Sequence, residues 1–232
     1  MKKAIVMIVV HHLNNSRSQR VLWLLEELGL PYEVKRYQRD RQTMLAPPEL
    51  RAVHPLGKSP VLTDGDLTLV ESGAIVEYLV EMYGNADSCA TLSPQPGTPA
   101  YLRYRYWLHY AEGSLMPPLL LKLVFDKIET SPMPFFVKPI AQAIVTKVKS
   151  SFIMPQIATH LDYLETELGK NLWFVDETFS AADVQLSFPL EAAAARDGLG
   201  VSRPLLMAFL TRIHARPAYQ RALERGGEFS LK

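Results

Sequence analysis

His54-Pro-Leu-Gly-Lys58-Ser59-Pro60-Val-Leu-Thr-Asp64-Gly65-Asp-Leu-Thr-Leu-Val-Glu71-Ser72-Gly-Ala-Ile-Val-Glu-Tyr-Leu-Val-Glu-Met-Tyr83 is the stretch that decides how the rest of the chain is read. Two short apolar runs, 60–62 and 67–70, flank Asp64-Gly65, a strong signal for a β-hairpin. Helical spacing then begins at Glu71-Ser72, with Ala74, Ile75, Tyr78, Leu79 and Met82 on one face and Gly84 at the C-cap position. Pro60 heads the first run, where a residue without an N–H is tolerated, and the Ser59–Pro60 bond is a candidate for cis. The backbone groups of Ser59 are then free to pair with an extended ligand. Glu71-Ser72 adds helix N-terminal N–H groups, a hydroxyl and a negative charge. That corner suits a ligand end carrying both a carboxylate and an ammonium.

Working outward, residues 4–10 form a continuous apolar run expected of a central strand. A polar loop at 11–17 follows, then a helix that buries Val21, Leu22, Leu24, Leu25 and Leu28 and ends at Gly29. Residues 32–37 alternate as a second strand, parallel to the first in a βαβ unit, and 48–53 allow a short helix opened by Pro48. The order β-α-β-α-β-β-α is that of a thioredoxin-like domain spanning 1–84. Residues 85–99, with three prolines, read as a linker, and 100–232 as an all-helical domain. Within the latter, Pro117-Pro118 is expected to break or kink one helix and Pro155 to bend another. Residues 172–175 allow a short strand, and Ser180-Ala-Ala-Asp183 is a capping signal.

Bulk properties narrow the function. A net charge of +1 with 21% charged residues leaves no footprint for nucleic acid or an anionic membrane. A single cysteine, Cys89, fits a reducing compartment and excludes a CxxC motif. The apolar run after Lys2-Lys3 reads as a strand rather than a signal peptide, so the chain is expected in the cytoplasm. His11, His12 and His160 lack metal-ligand spacing and read as structural or exposed, with no metal expected. No glycine-rich phosphate loop occurs.

Lys-Ser-Pro-Val-Leu followed by Val-Glu-Ser-Gly-Ala-Ile resembles the glutathione-binding half of the cytosolic glutathione S-transferases. Asn15-Ser16-Arg17, Arg39-Asp40, Ala46-Pro-Pro-Glu-Leu50 and His54-Pro-Leu-Gly57 are most similar to the yeast Gtt-type class and its bacterial relatives. The resemblance implies glutathione as co-substrate, a homodimer, and attack of the glutathione thiolate on a small-molecule electrophile. Alternatives on the same fold are a glutathione-dependent peroxidase or disulfide reductase, or a non-catalytic scaffold.

An ordinary thiol has a pKa near ~8.5, so lowering it by about two units needs roughly 2.7 kcal/mol of thiolate stabilisation. The resemblance places the activating hydroxyl four residues before Arg20, at Ser16, with Asn15 and Ser18 as rivals. The residues alone also allow Ser16 a purely capping role, in the box Ser16-Arg-Ser-Gln19. By the same resemblance Lys58 meets the glycyl carboxylate, Ser59 pairs through its backbone beside Pro60, and Glu71 and Ser72 hold the γ-glutamyl end. Arg17 is expected at the sulfur or the glycyl carboxylate. Trp107 and Tyr110, three apart on one helix, and Met116 are the candidates for the electrophile pocket.

Overall fold

The computed structural model of this chain describes residues 7–40, 42–84, 92–196, 199, 202–227 and 229–231. Strand β1 (Ile8–Leu13) carries the apolar run past its expected end, through His11 and His12 to Leu13. Both histidines are buried against neighbours rather than exposed, so polarity alone misplaced the strand boundary. Helix α1 (Ser18–Glu27) follows and buries each expected residue, and Gly29 takes a left-handed conformation (φ +64°) beyond its C-terminus. Strand β2 (Tyr32–Tyr37) pairs parallel with β1, and α2 (Pro48–Val53) fills the next connection.

The hairpin forms as read: β3 (Val61–Asp64) pairs antiparallel with β4 (Leu67–Val70), and β3 pairs antiparallel with β1. Asp64 is itself paired, to Leu67, so the turn is Gly65-Asp66, with Gly65 supplying φ +60°. The four-stranded order β2-β1-β3-β4 is that of the expected thioredoxin-like domain. Helix α3 (Ser72–Tyr83) ends at Gly84, whose φ of −71° is ordinary. Glycine is needed there for space, because a Cβ would lie 2.4 Å from the Val80 carbonyl oxygen.

Helices make up the described part of the second half: α4 (Pro99–Tyr110), α5 (Met116–Thr130), α6 (Lys138–Val148), α7 (Met154–Leu168), α8 (Ala181–Ala194), α9 (Pro204–His214) and α10 (Pro217–Gly226). The prolines at 117, 118 and 155 do not break these helices. A π-helical turn, Ala111–Leu115 before the first pair and Lys149–Ile153 before the third, joins α4 to α5 and α6 to α7. In each the closing N–H reaches back five residues, Met116 to Ala111 and Met154 to Lys149. The widened turn relieves the clash that a proline ring makes with the carbonyl of the preceding turn.

The strand expected at 172–175 is absent. Those residues are apolar because Trp173, Phe174 and Val175 plug the helical core, with the Phe174 ring tilted 5.1 Å from Trp107 and edge-on 5.0 Å from Phe209. Their backbone is satisfied by a helix cap instead of a ladder. Asp183 accepts the Phe174 N–H at 3.0 Å, the Ser180 N–H at 2.9 Å and the Ser180 hydroxyl at 3.0 Å. This completes the capping box read from the sequence. Asp183→Ala strands two backbone N–H groups in a dry core, so equilibrium unfolding in urea should show a loss of about 3 kcal/mol.

Candidate functional site

A cleft of about 260 Å³ lies between the thioredoxin-like domain and the helices. Its lining includes Arg17, His54, Lys58, Ser59, Glu71, Ser72 and Glu112. Two segments of the first domain build one wall. The loop before β3 supplies Lys58, exposed at the rim, and Ser59, joined to Pro60 by a cis peptide. The sheet ladder begins only at Val61 opposite His11, so the backbone of Ser59 sits just beyond it. The start of α3 supplies Glu71 and Ser72. Glu71 has φ +70° and ψ +117°, a conformation that costs a non-glycine residue about 1–3 kcal/mol. That strain turns the chain abruptly from β4 into α3 and aims the N–H groups of the first turn at the cleft.

The loop after β1 contributes the third segment. Ser16 is only 3% exposed, and its Oγ lies 3.2 Å from Ser59 Oγ and 2.7 Å from Ser18 Oγ. It does not cap in the manner of a capping box. The N-cap of α1 is Arg17, and both polar side-chain atoms of Gln19 are buried without a partner. Asn15, at φ +49°, turns its side chain toward the C-terminal segment, where its Oδ1 accepts the Ser230 N–H at 2.9 Å. Ser18 is fully buried and bonds His12 Nδ1 at 2.8 Å. Burial, with Arg36 nearby, pushes His12 down to about 4.

Glu112 forms the opposite wall. It lies in the π turn after α4 and accepts from Arg17 Nε at 2.9 and 3.0 Å through its two oxygens. Its Oε1 also pairs with Arg20, whose side chain is 1% exposed. The other end of Arg20 donates to the Gln185 carbonyl, and Gln185 in turn donates to Ser72 Oγ at 3.3 Å. Both guanidinium groups lie over the Phe188 ring, 5.0 and 5.4 Å from its centroid. Burial works against the Glu112 charge, yet the two arginines hold its carboxyl below the usual range. Arg17 is thus committed to Glu112 across the cleft.

The helical candidates fall elsewhere. Trp107 is 0% exposed, packed between Tyr163 and Phe174, and its Nε1 has no partner. Tyr110 bonds His160 Nδ1 at 2.6 Å, and Tyr110 and Met116 are both buried. The face of α4 that Trp107 and Tyr110 share packs on His160 and Tyr163 of α7, Met116 is buried at the start of α5, and none of the three lines the cleft. Glu112, Gln185 and the buried Arg20 are the site residues that sequence reasoning missed. A lone acid at Ala111-Glu112-Gly113 within an apolar stretch, and an arginine inside an apolar helix, were the available signals.

A thioredoxin-like domain followed by helices, with a polar cleft between them, defines a fold class shared by many solved structures. A glutathione S-transferase from Actinobacillus pleuropneumoniae superposes with a TM-score of 0.76 at 35% identity, over 97% of this chain and 95% of that one. Residues 5–81 match the glutathione S-transferase N-terminal domain, and 133–217 the C-terminal domain. Glutathione S-transferase 3 of Schizosaccharomyces pombe is 39% identical over 94% of this chain and 88% of its own length. Glutathione S-transferase 1 of Saccharomyces cerevisiae is 34% identical over 94% of each. The chain belongs to the glutathione S-transferase family, on the yeast and bacterial side that its motifs resemble.

Among the described residues no helix is long and apolar enough to cross a membrane, and no group of three or more His, Cys, Asp or Glu could hold a metal ion. Glu112→Ala leaves the buried Arg20 charge unpaired and should cost about 3–5 kcal/mol in chemical denaturation. Glu112→Gln, which keeps an acceptor, should cost markedly less.

Proposed function

We propose that this protein is a glutathione transferase whose cleft binds glutathione and whose Ser16 hydroxyl stabilises the thiolate. The observation that carries this reading is the convergence of Lys58, Ser59, Glu71 and Ser72 on one cleft, with Ser16 one hydrogen bond behind its wall. In this assignment the Lys58 ammonium meets the glycyl carboxylate. The Ser59 backbone pairs with the cysteinyl unit, its direction set by Pro60. Glu71 takes the γ-glutamyl ammonium, and Ser72 with the first turn of α3 takes the carboxylate. Arg17, held by Glu112, contributes positive potential beside the thiolate rather than a direct contact.

Binding the tripeptide along that wall brings its sulfur toward the start of α1. There the Ser16 hydroxyl can donate to the sulfur and the helix N-terminus presents its positive end, so the anion is favoured over the thiol. The thiolate then attacks an electrophilic carbon, forming the carbon–sulfur bond as a leaving group departs with its electron pair, or as a π bond opens to a carbanion that takes a proton from water. The electrophile enters from the side of Glu112, the helical-domain residue that lines the cleft. A peroxide or disulfide would accept the same thiolate on oxygen or sulfur.

The assembly we propose is a homodimer, supported by large apolar side chains left exposed on α3 and α4: Met82 (56%), Leu102 (70%) and Tyr106 (45%). Sedimentation should report twice the 26.2 kDa chain mass. A cytosolic site of action fits the single cysteine.

Ser16→Ala should lower kcat for conjugation of an activated aryl halide at least ~10-fold, equal to about 1.4 kcal/mol, with the glutathione KM little changed. Unchanged conjugation would remove Ser16 from the mechanism.

A further inference from the structure

Behind the cleft wall, one histidine and three serines form an unbroken hydrogen-bonded chain. His12 Nδ1 lies 2.8 Å from Ser18 Oγ, Ser18 Oγ 2.7 Å from Ser16 Oγ, and Ser16 Oγ 3.2 Å from Ser59 Oγ. The His12 ring also faces the backbone carbonyl of Gly226, at the end of α10, which favours a hydrogen on that side of the ring. Gly226 has to be glycine for α10 to come this close. A Cβ there would lie 2.7 Å from Gln19 Oε1, 2.9 Å from Leu22 Cδ1 and 3.4 Å from His12 Cε1.

These contacts assign the hydrogens. A carbonyl can only accept, so the ring nitrogen that faces Gly226 carries the hydrogen and Nδ1 of the neutral ring is left as an acceptor. Burial and the neighbouring Arg36 charge keep the ring neutral at ordinary pH. Ser18 therefore gives its hydrogen to His12. Ser59 gives its own to the His11 carbonyl at 3.1 Å and accepts the Leu13 N–H at 3.2 Å. Ser16 accepts the Ser18 N–H at 3.3 Å. The hydrogen of Ser16 then goes to Ser59 Oγ at 3.2 Å, the longest bond in the chain and one to a neutral oxygen. A thiolate outbids that oxygen because a charged acceptor makes a hydrogen bond roughly twice as strong.

We infer that His12, acting through Ser18, is a positioning residue for Ser16, keeping its hydroxyl a donor whose hydrogen turns from Ser59 to the glutathione thiolate. This rests on the reading of Ser16 as the thiolate's partner. Neither His12 nor Ser18 lines the cleft. Without an acceptor at position 12, the Ser18 hydrogen turns to Ser16, and the two hydroxyl groups exchange donor and acceptor roles instead of holding one.

The test is the pKa of enzyme-bound glutathione, read by thiolate ultraviolet absorbance across pH, together with kcat and KM. His12→Phe keeps a ring and removes the acceptor; it should raise the bound thiol pKa by about one unit and lower kcat about 10-fold, with KM within about twofold. His12→Asn, whose side-chain oxygen can accept from Ser18, should stay within about threefold of wild type in kcat. In a Ser16→Ala background His12→Phe should add nothing. Should His12→Phe fail to fold, Ser18→Ala must produce the same rise in pKa. An unmoved pKa in His12→Phe, or equal behaviour of the Phe and Asn variants, overturns the inference. If Ser16→Ala itself leaves the pKa unchanged, the assignment of Ser16 falls and this inference with it. If Ser16→Ala raises the pKa and His12→Phe does not, only the role of His12 falls.

Discussion

A guanidinium group that is 1% exposed has to be paired, and Arg20 meets that demand by drawing on three parts of the chain. Its own helix, α1, belongs to the thioredoxin-like domain. Glu112 reaches it from the π turn after α4, and the Gln185 carbonyl from α8. Removing any one partner leaves a charge or a polar group stranded in a dry interior. The pairing therefore fixes how the helices sit over the start of α1. Because Glu112 also holds Arg17 and Gln185 reaches Ser72, the same cluster frames the cleft on both sides.

A π turn is part of that arrangement. Glu112 sits within it, and the turn exists because two prolines follow at once. The sequence signal suggested a break; the structure keeps the helix and widens it. Widened turns of this kind often accompany functional sites, and here the turn carries an acidic side chain to the cleft. The second π turn, before Pro155, serves the same steric purpose away from the cleft.

The thioredoxin-like half was legible because its signals are local. The Gly65-Asp66 turn, the apolar alternation and the Gly29 terminator each specify a few neighbouring residues. The exceptions have physical reasons. His11 and His12 belong to β1 although they are polar, since Tyr37 and Ser18 supply their hydrogen bonds. The 172–175 run is apolar because it fills a core, and Asp183 replaces the missing strand partner. Lys58, Ser59, Glu71 and Ser72 could be gathered from sequence because they lie within fifteen residues on one hairpin and its helix. Glu112 and Gln185 could not be, as each reaches the cleft from a distant helix. For the same reason the α4 aromatics were misplaced: Trp107 and Tyr110 share a face, but spacing cannot say whether that face meets α7 or the cleft.

What remains is where the glutathione sulfur sits. A crystal structure of the protein with glutathione bound reads that position directly. The account predicts the sulfur within about 3.5 Å of Ser16 Oγ, with the γ-glutamyl end at Glu71 and Ser72 and the glycyl carboxylate at Lys58. A sulfur directed at Asn15, or held by backbone N–H groups alone with Ser16 still facing Ser18, would contradict it.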